Sequence, residues 1–248
     1  MHILEESTGI NGWEFSVEGY YKDMRNVLEY KDGVSFFGSS SGWENKVEMG
    51  KGRSAGIEFM AQKTAGKTTG WLSYTLSKSD RKFTKGGINN GEWFPYKYDR
   101  RHSINLTINH KFSDRIDIGA SWVFYTGGTS TIPEEKTTVI RPHNGANNGF
   151  LWYGTYDNTN SSPTIGDVSY IEHRNNFRLP ASHRLNLGVN FNKKTKHGMR
   201  TWNISLYNAY NAMNPAWVYR GHNKQGLSVI KKYTLLPLIP SFTYTYKF

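Results

Sequence analysis

The sequence predicts an all-β fold of antiparallel transmembrane β-barrel strands, with short turns at one end and long loops at the other. Three observations predict it. Apolar and polar side chains alternate with a period of two in eight separate runs. The connections between those runs are alternately short and long. Aromatic residues make up 15% of the chain, with 16 Tyr and 8 Trp, and amphipathic rings are favoured where an apolar zone meets water.

The runs follow in order. In 13–24, Phe15, Val17 and Tyr21 oppose Ser16, Glu18 and Lys22. In 53–63, Ala55, Ile57 and Phe59 oppose Ser54 and Glu58. In 70–79, Leu72, Tyr74 and Leu76 oppose Ser73, Thr75 and Ser77. In 102–112, Ile104, Leu106 and Ile108 oppose Asn105, Thr107 and Asn109. In 116–124, Ile118, Ala120 and Trp122 oppose Asp117, Gly119 and Ser121. In 183–192, Leu185, Leu187 and Val189 oppose Asn186, Gly188 and Asn190. In 200–208, Trp202, Ile204 and Leu206 oppose Thr201, Asn203 and Ser205. In 241–248, SFTYTYKF places Phe242, Tyr244, Tyr246 and Phe248 on one parity and Ser241, Thr243, Thr245 and Lys247 on the other.

Short links, TAGKT (64–68), FSDR (112–115) and a basic turn at 193–199, interleave with long segments near 29–50, 84–99, 126–180 and 211–235. A soluble sandwich also alternates apolar and polar, but nothing in it segregates long loops to one end. A sheet inside lipid must satisfy every backbone N–H and C=O, so it closes on itself and a terminal strand pairs with the first. The mean hydropathy of −0.66 does not oppose this. A spanning strand needs only about 10 residues, and half of them face water.

The net charge is +11 and the pI about 9.6. Only NKKTKHGMR (192–200) is densely basic, so a solvated basic surface is favoured over nucleic-acid binding, and no nucleic-acid partner is expected. Such a surface also suits anionic lipid headgroups. There is no cysteine, hence no disulfide framework and no thiolate metal site. MHILEESTGINGW lacks the pattern of a signal peptide, and no apolar run reaches the ~18 residues of a transmembrane helix.

Six stretches carry a resemblance: 17–30, 50–83, NNGEWFPYKYDRRHSINLT (89–107), LPASHRLNLGVNF (179–191), RTWNISLYNAYNAMNP (200–215) and LIPSFTYTYKF (238–248). In this order and spacing the chain resembles the C-terminal third of TonB-dependent outer-membrane receptors of the Bacteroidetes type. The resemblance implies that residues 1–248 are the last eight strands of a 22-stranded barrel in a Gram-negative outer membrane. It implies a plug domain, a signal peptide and a TonB-engaging segment, none of which is found in this sequence, so the chain is expected to be a piece of a receptor. MHILEES is then the tail of a preceding strand and TGING a periplasmic turn. The implied function is energised uptake of a large nutrient such as a glycan, a siderophore or another chelate. Implied partners are outer-membrane lipid, the TonB complex through the missing N-terminal region, and a surface lipoprotein. The barrel-assembly machinery would read the last strand through Tyr244, Tyr246 and Phe248.

GSSSG (38–42) fits the letters of a nucleophile elbow but has no helix behind it, so a loop tip is expected. DRRH (99–102) reads as ion pairing of Asp99, Arg100 and Arg101 where a strand leaves the membrane. Glu134 and Glu135 are read as a solvated pair. Neither catalytic residues, a cofactor nor a metal site is expected. Phe150, Trp152, Tyr153 and Tyr156 in the long third loop are ligand-contact candidates, as are Trp43 and Trp93. Trp13, Trp71, Trp202 and Trp217 are expected as interfacial anchors, and Glu18, Lys22, Glu58 and Lys247 as lumen-facing. Two other classes stay open: a self-contained eight-stranded barrel with a structural or adhesive role, and a soluble carbohydrate-binding sandwich.

Overall fold

The computed structural model describes residues 2–32, 42–85, 87–133, 135–141 and 164–248. Its strands are β1 (His2–Ile10), β2 (Trp13–Tyr30), β3 (Val47–Lys63), β4 (Thr68–Lys82), β5 (Phe94–Pro95), β6 (His102–Lys111), β7 (Ile116–Tyr125) and β8 (Thr129–Ser130). They continue as β9 (Glu135–Arg141), β10 (Thr164–Tyr170), β11 (Phe177–Arg178), β12 (Ser182–Thr195), β13 (Gly198–Tyr207), β14 (Pro215–His222), β15 (Ser228–Thr234) and β16 (Ile239–Lys247). The main sheet is antiparallel in the order β1-β2-β3-β4-β6-β7-β12-β13-β16, with β5 added to β4. Among the described residues the only helices are two 3-10 turns, Trp43–Lys46 and Asn89–Gly91.

All four tight turns of the sheet lie at one end. Asn11 (φ 49) and Gly12 (φ 76) alone join β1 to β2, both in the left-handed region that a two-residue hairpin turn requires. Residues 64–67, 112–115 and 196–197 make the others. The long connections carry their own small structures at the opposite end. β5 lies in the second, β8 to β11 in the third, and the β14–β15 hairpin in the fourth.

Register keeps the two faces separate across the sheet. Val17 is opposite Phe59, Phe59 opposite Tyr74, and Tyr74 opposite Ile104. Farther along, Val189 is opposite Ile204, and Ile204 is opposite Phe242. These rings and branched chains are not covered by a second layer: Val17 is 47% exposed, Ile57 56%, Ile204 50% and Phe242 64%. The buried hydrophobic cluster is instead Phe83, Ile88 and Phe94, with Val27 packed on it, at the long-loop end. A soluble sandwich buries its apolar face against a second sheet. Here that face is the exposed one, as a lipid-facing wall requires.

The height of the band fits a membrane. Its charge-free stretch on β2 runs from Trp13 to Tyr21, eight residues apart. At ~3.4 Å per residue and a tilt of ~40°, that is about 27 Å along the strand and about 21 Å in height.

The structure changes several expectations. Besides the eight runs, the expected strand tail at the start is paired with the near half of β2 over His2–Ile10, so the described sheet has nine long strands, and the turn is the last two residues of TGING, Asn11–Gly12. The basic run 192–200 is mostly strand, and only 196–197 turn. β2 runs to Tyr30, not to residue 24, through a bulge between Arg25 and Val27 where Asn26 has φ 58. The extra residue reverses the phase of the strand. Leu28 then joins Met49 on the apolar face, and Glu29 turns to the polar one opposite Glu48. β1 pairs only with β2 and β16 only with β13, so the described sheet has two unpaired edges.

Candidate functional site

The polar face is a lattice of short amides and hydroxyls. Neighbouring strands put same-face side chains within reach of one another. Asp117 on β7 accepts from Asn190 Nδ2 at 2.7 Å and from Asn192 Nδ2 at 2.6 Å, both on β12. The lattice continues to β13, where Asn203 Nδ2 donates to Asn190 Oδ1 at 2.7 Å and Thr201 Oγ1 to Asn192 Oδ1 at 2.7 Å. Higher on the same face, Arg184 lies 4.3 Å over the Tyr207 ring and donates to its hydroxyl. A cavity of about 230 Å³ opens there, lined by Arg100, Ser103, Tyr125, His183, Arg184 and Asn214.

Two ion-pair centres tie the long connections to the strand ends. Asp99 is buried, and its side chain accepts from Ser79 N (2.7 Å), Arg101 Nε (3.0 Å) and an Arg178 terminal nitrogen (2.6 Å). Arg178 also donates to the carbonyls of Asp99 (2.7 Å) and Gly127 (2.9 Å), which binds the second and third connections together. The second centre is Arg174. It reaches Asp32 Oδ1 at 2.7 Å, the Tyr30 carbonyl at 2.8 Å and Glu29 Oε1 at 3.3 Å. Arg81 shares Glu29 at 3.3 Å and stacks 3.7 Å over the Tyr96 ring. The Arg174 guanidinium lies 5.8 Å over the ring of Phe94, which packs with Phe83 and Ile88. A low-dielectric floor under paired charges strengthens their attraction.

The predicted residues fall in different places. Trp93 lies under the Arg53 guanidinium at 4.3 Å, and Trp43, 63% exposed, opens a 3-10 turn in the first connection. Neither lines the cavity at Arg184 or the one at Ile132 and Arg220. Phe150, Trp152, Tyr153 and Tyr156 lie outside the described residues, as do Glu134 and most of GSSSG. Tyr244 and Tyr246 stand on the apolar face of β16, with Tyr244 4.4 Å from Trp202, and Phe248 follows the strand fully exposed.

Trp13 fits an interfacial anchor, stacked on Phe15 at 5.9 Å with Lys63 Nζ 5.6 Å over its ring. Trp202 also stands on the apolar face, opposite Phe191 and Tyr244. Trp71 and Trp217 do not fit. Trp71 shares its parity with Ser73 and Thr75 and is opposite Gln62, which is the polar face. Trp217 stacks on Tyr233 at 4.3 Å in the β14–β15 hairpin, away from the wall. Glu18 and Glu58 are directly opposite each other on the polar face, as their parity implied.

DRRH does form ion pairs, but Asp99 is buried rather than exposed, and Arg100 stacks on Tyr125 at 4.0 Å instead of pairing. The sequence reading missed Arg174 and Arg178. Arg178 lies 79 residues from Asp99 and Arg174 lies 145 from Glu29, so no local spacing announces either. Among the described residues no group of three or more His, Cys, Asp or Glu could hold a metal ion.

An antiparallel wall, apolar outside and hydrogen-bonded in amide rows inside, defines a class: the outer-membrane barrels that surround a polar lumen. Comparison with protein families narrows the class. The β-barrel family described as TonB dependent receptor-like matches residues 7–221, and the chain belongs to it. A search of curated proteins gives no match. Membership places the protein in the outer membrane of Gram-negative bacteria and in TonB-dependent transport, a transporter family rather than an enzymatic one. In that family TonB is met through the plug and N-terminal region.

Proposed function

We propose that residues 1–248 form the C-terminal arc of the barrel wall of an importer that takes up a large nutrient such as a glycan, a siderophore or another chelate. One observation carries the proposal: among the described residues both edges of the nine-stranded sheet, β1 and β16, are unpaired. In hydrocarbon each unpaired backbone group costs several kcal/mol, so strands of the same barrel must cover both edges. Preceding strands of the same receptor meet that need. The self-contained eight-stranded alternative would require β16 to pair with β1 or β2, and the register gives it β13 alone. On this proposal the last strand is read by the barrel-assembly machinery through Tyr244, Tyr246 and Phe248. The aromatic side chains of the long loops, Trp43, Trp93, Phe150, Trp152, Tyr153 and Tyr156, contact the nutrient or a capping surface lipoprotein.

Growth of a deletion strain on a panel of glycans, ferric chelates and cobalamin tests the substrate class. Loss of growth on one nutrient, restored by the intact gene, is expected. Growth equal to the parent strain on all of them would overturn the importer reading. A short leader joined directly to residue 1 in the coding DNA would instead favour the self-contained barrel.

A further inference from the structure

On the outer face of the wall, three cations stand in one row. Arg25 on β2 is directly opposite Lys51 on β3, and Lys51 is directly opposite Lys82 on β4. All three share the lipid-facing parity of Val17, Ile57 and Leu76. Like charges directly opposite on paired strands are destabilising. The neighbouring row shows how this wall relieves such a charge: Asp23 and Asp80 flank Arg53, and Asp80 takes Arg53 at 3.0 Å and Lys78 at 3.5 Å. The Arg25–Lys51–Lys82 row has no such relief, since no acidic group lies within 4.0 Å of any of the three among the described residues.

The height of this row selects its counter-ion. Arg25 is four residues beyond Tyr21, the last aromatic residue on the apolar face of β2 before the bulge that follows Arg25. That is about 14 Å along the strand and about 10 Å in height at a tilt of ~40°. Headgroups occupy the layer just outside the ~30 Å hydrocarbon core. The row stands at the long-loop end, so that layer is the outer leaflet. A phosphate carries up to two charges and several acceptor oxygens, and it can bridge cations spaced by one strand, about 4.8 Å. We propose that the Arg25–Lys51–Lys82 row binds the phosphate of a phosphorylated outer-leaflet lipid headgroup, with the acyl chains lying against Tyr21, Ala55 and Leu76.

The test uses the protein extracted from the outer membrane in mild detergent, compared with the triple variant Arg25→Gln/Lys51→Gln/Lys82→Gln and with the single variant Lys51→Gln. Heat-modifiable gel mobility reports folding of each. Native mass spectrometry counts bound lipid, and thermal unfolding is followed with a phosphorylated lipid, with its dephosphorylated form and with inorganic phosphate. The wild type should retain the phosphorylated lipid about tenfold better than the triple variant, with Lys51→Gln between them. Lipid-free, the triple variant should unfold at the higher temperature, because repulsion is gone. With the phosphorylated lipid the order should reverse, which a purely structural role of these side chains would not produce. Equal lipid retention, or no reversal, would overturn the proposal. A stabilisation as large from inorganic phosphate as from the lipid would overturn the assignment to a headgroup.

Discussion

Replacing Asp99 by Ala removes the acceptor of three hydrogen bonds and the counter-charge of two arginines. Breaking a buried ion pair by deleting one partner costs about 3–5 kcal/mol. Here the Asp99 side chain is 0% exposed, but Arg101 is 36% and Arg178 32% exposed, so both cations can turn to water after the change. The cost therefore falls at or just below the bottom of that range, about 2–3 kcal/mol, and the orphaned Ser79 N–H supplies much of it. The loss is local, because Asp99 holds the second connection to the end of β4 through Ser79 and to β11 through Arg178. Opening of that corner should become about 30- to 160-fold more frequent, which hydrogen exchange reads directly. Peptides covering 76–82 and 94–101 should lose protection by that factor, while 185–192 and 200–207 keep theirs. Asp99→Asn retains an acceptor for Ser79 and should fall between wild type and Ala. A change below threefold in Asp99→Ala would refute the view that this carboxylate pins the loop.

Three further outcomes are expected. Ile204→Lys, in the middle of the apolar face, should destabilise the folded protein in lipid vesicles by about 2–4 kcal/mol on urea unfolding, whereas Ser205→Lys on the polar face should cost less than about 1 kcal/mol. Equal penalties would mean that the two faces are assigned wrongly. Gly198→Ala should weaken the β13–β16 pairing by about 1–3 kcal/mol and lower the yield of heat-modifiable folded protein, because a Cβ there would overlap the Lys247 carbonyl oxygen. Arg174→Ala should raise the rate of limited proteolysis in 83–101 and 171–176 about five- to thirtyfold, from a loss of about 1–2 kcal/mol, without changing global unfolding.

The wall was legible because lipid and lumen impose a strict period of two, and Leu72-Ser73-Tyr74-Thr75-Leu76 shows it without error. β1 was harder to see because its apolar parity reads Leu4, Glu6, Thr8 and Ile10, with a charge in mid-strand. The far half of β2 was hidden by the bulge, since a phase reversal at Asn26 looks like the end of a strand when only parity is followed. Trp71 shows the opposite error. Its parity with Ser73 and Thr75 already placed it on the polar face, and residue type was allowed to override period. The Asp99 and Arg174 centres were out of reach for another reason. Each joins segments far apart in sequence, and only the register of strands between them brings those segments together.

The division of labour between wall and mouth follows from how their polar groups are paired. On the inner wall, Asn190 and Asn192 both donate to Asp117, and their oxygens are taken by Asn203 and Thr201. A solute passing this surface meets amides that already have partners, so the lattice offers a smooth polar lining more than a grip. At the mouth the arginines are committed to carboxylates or rings, yet rings such as Trp43 remain more than half exposed. Stacking surface is therefore available where the loops are, and hydrogen-bonding capacity is spent where the wall is. The centres also couple the loops mechanically. Arg174 in the third connection holds Glu29 at the end of β2 and Asp32 in the first, and Arg81 at the end of β4 holds the same Glu29. A displacement of Arg174 must break charged contacts to Glu29 and Asp32, so the described ends of the first and third connections are held to each other.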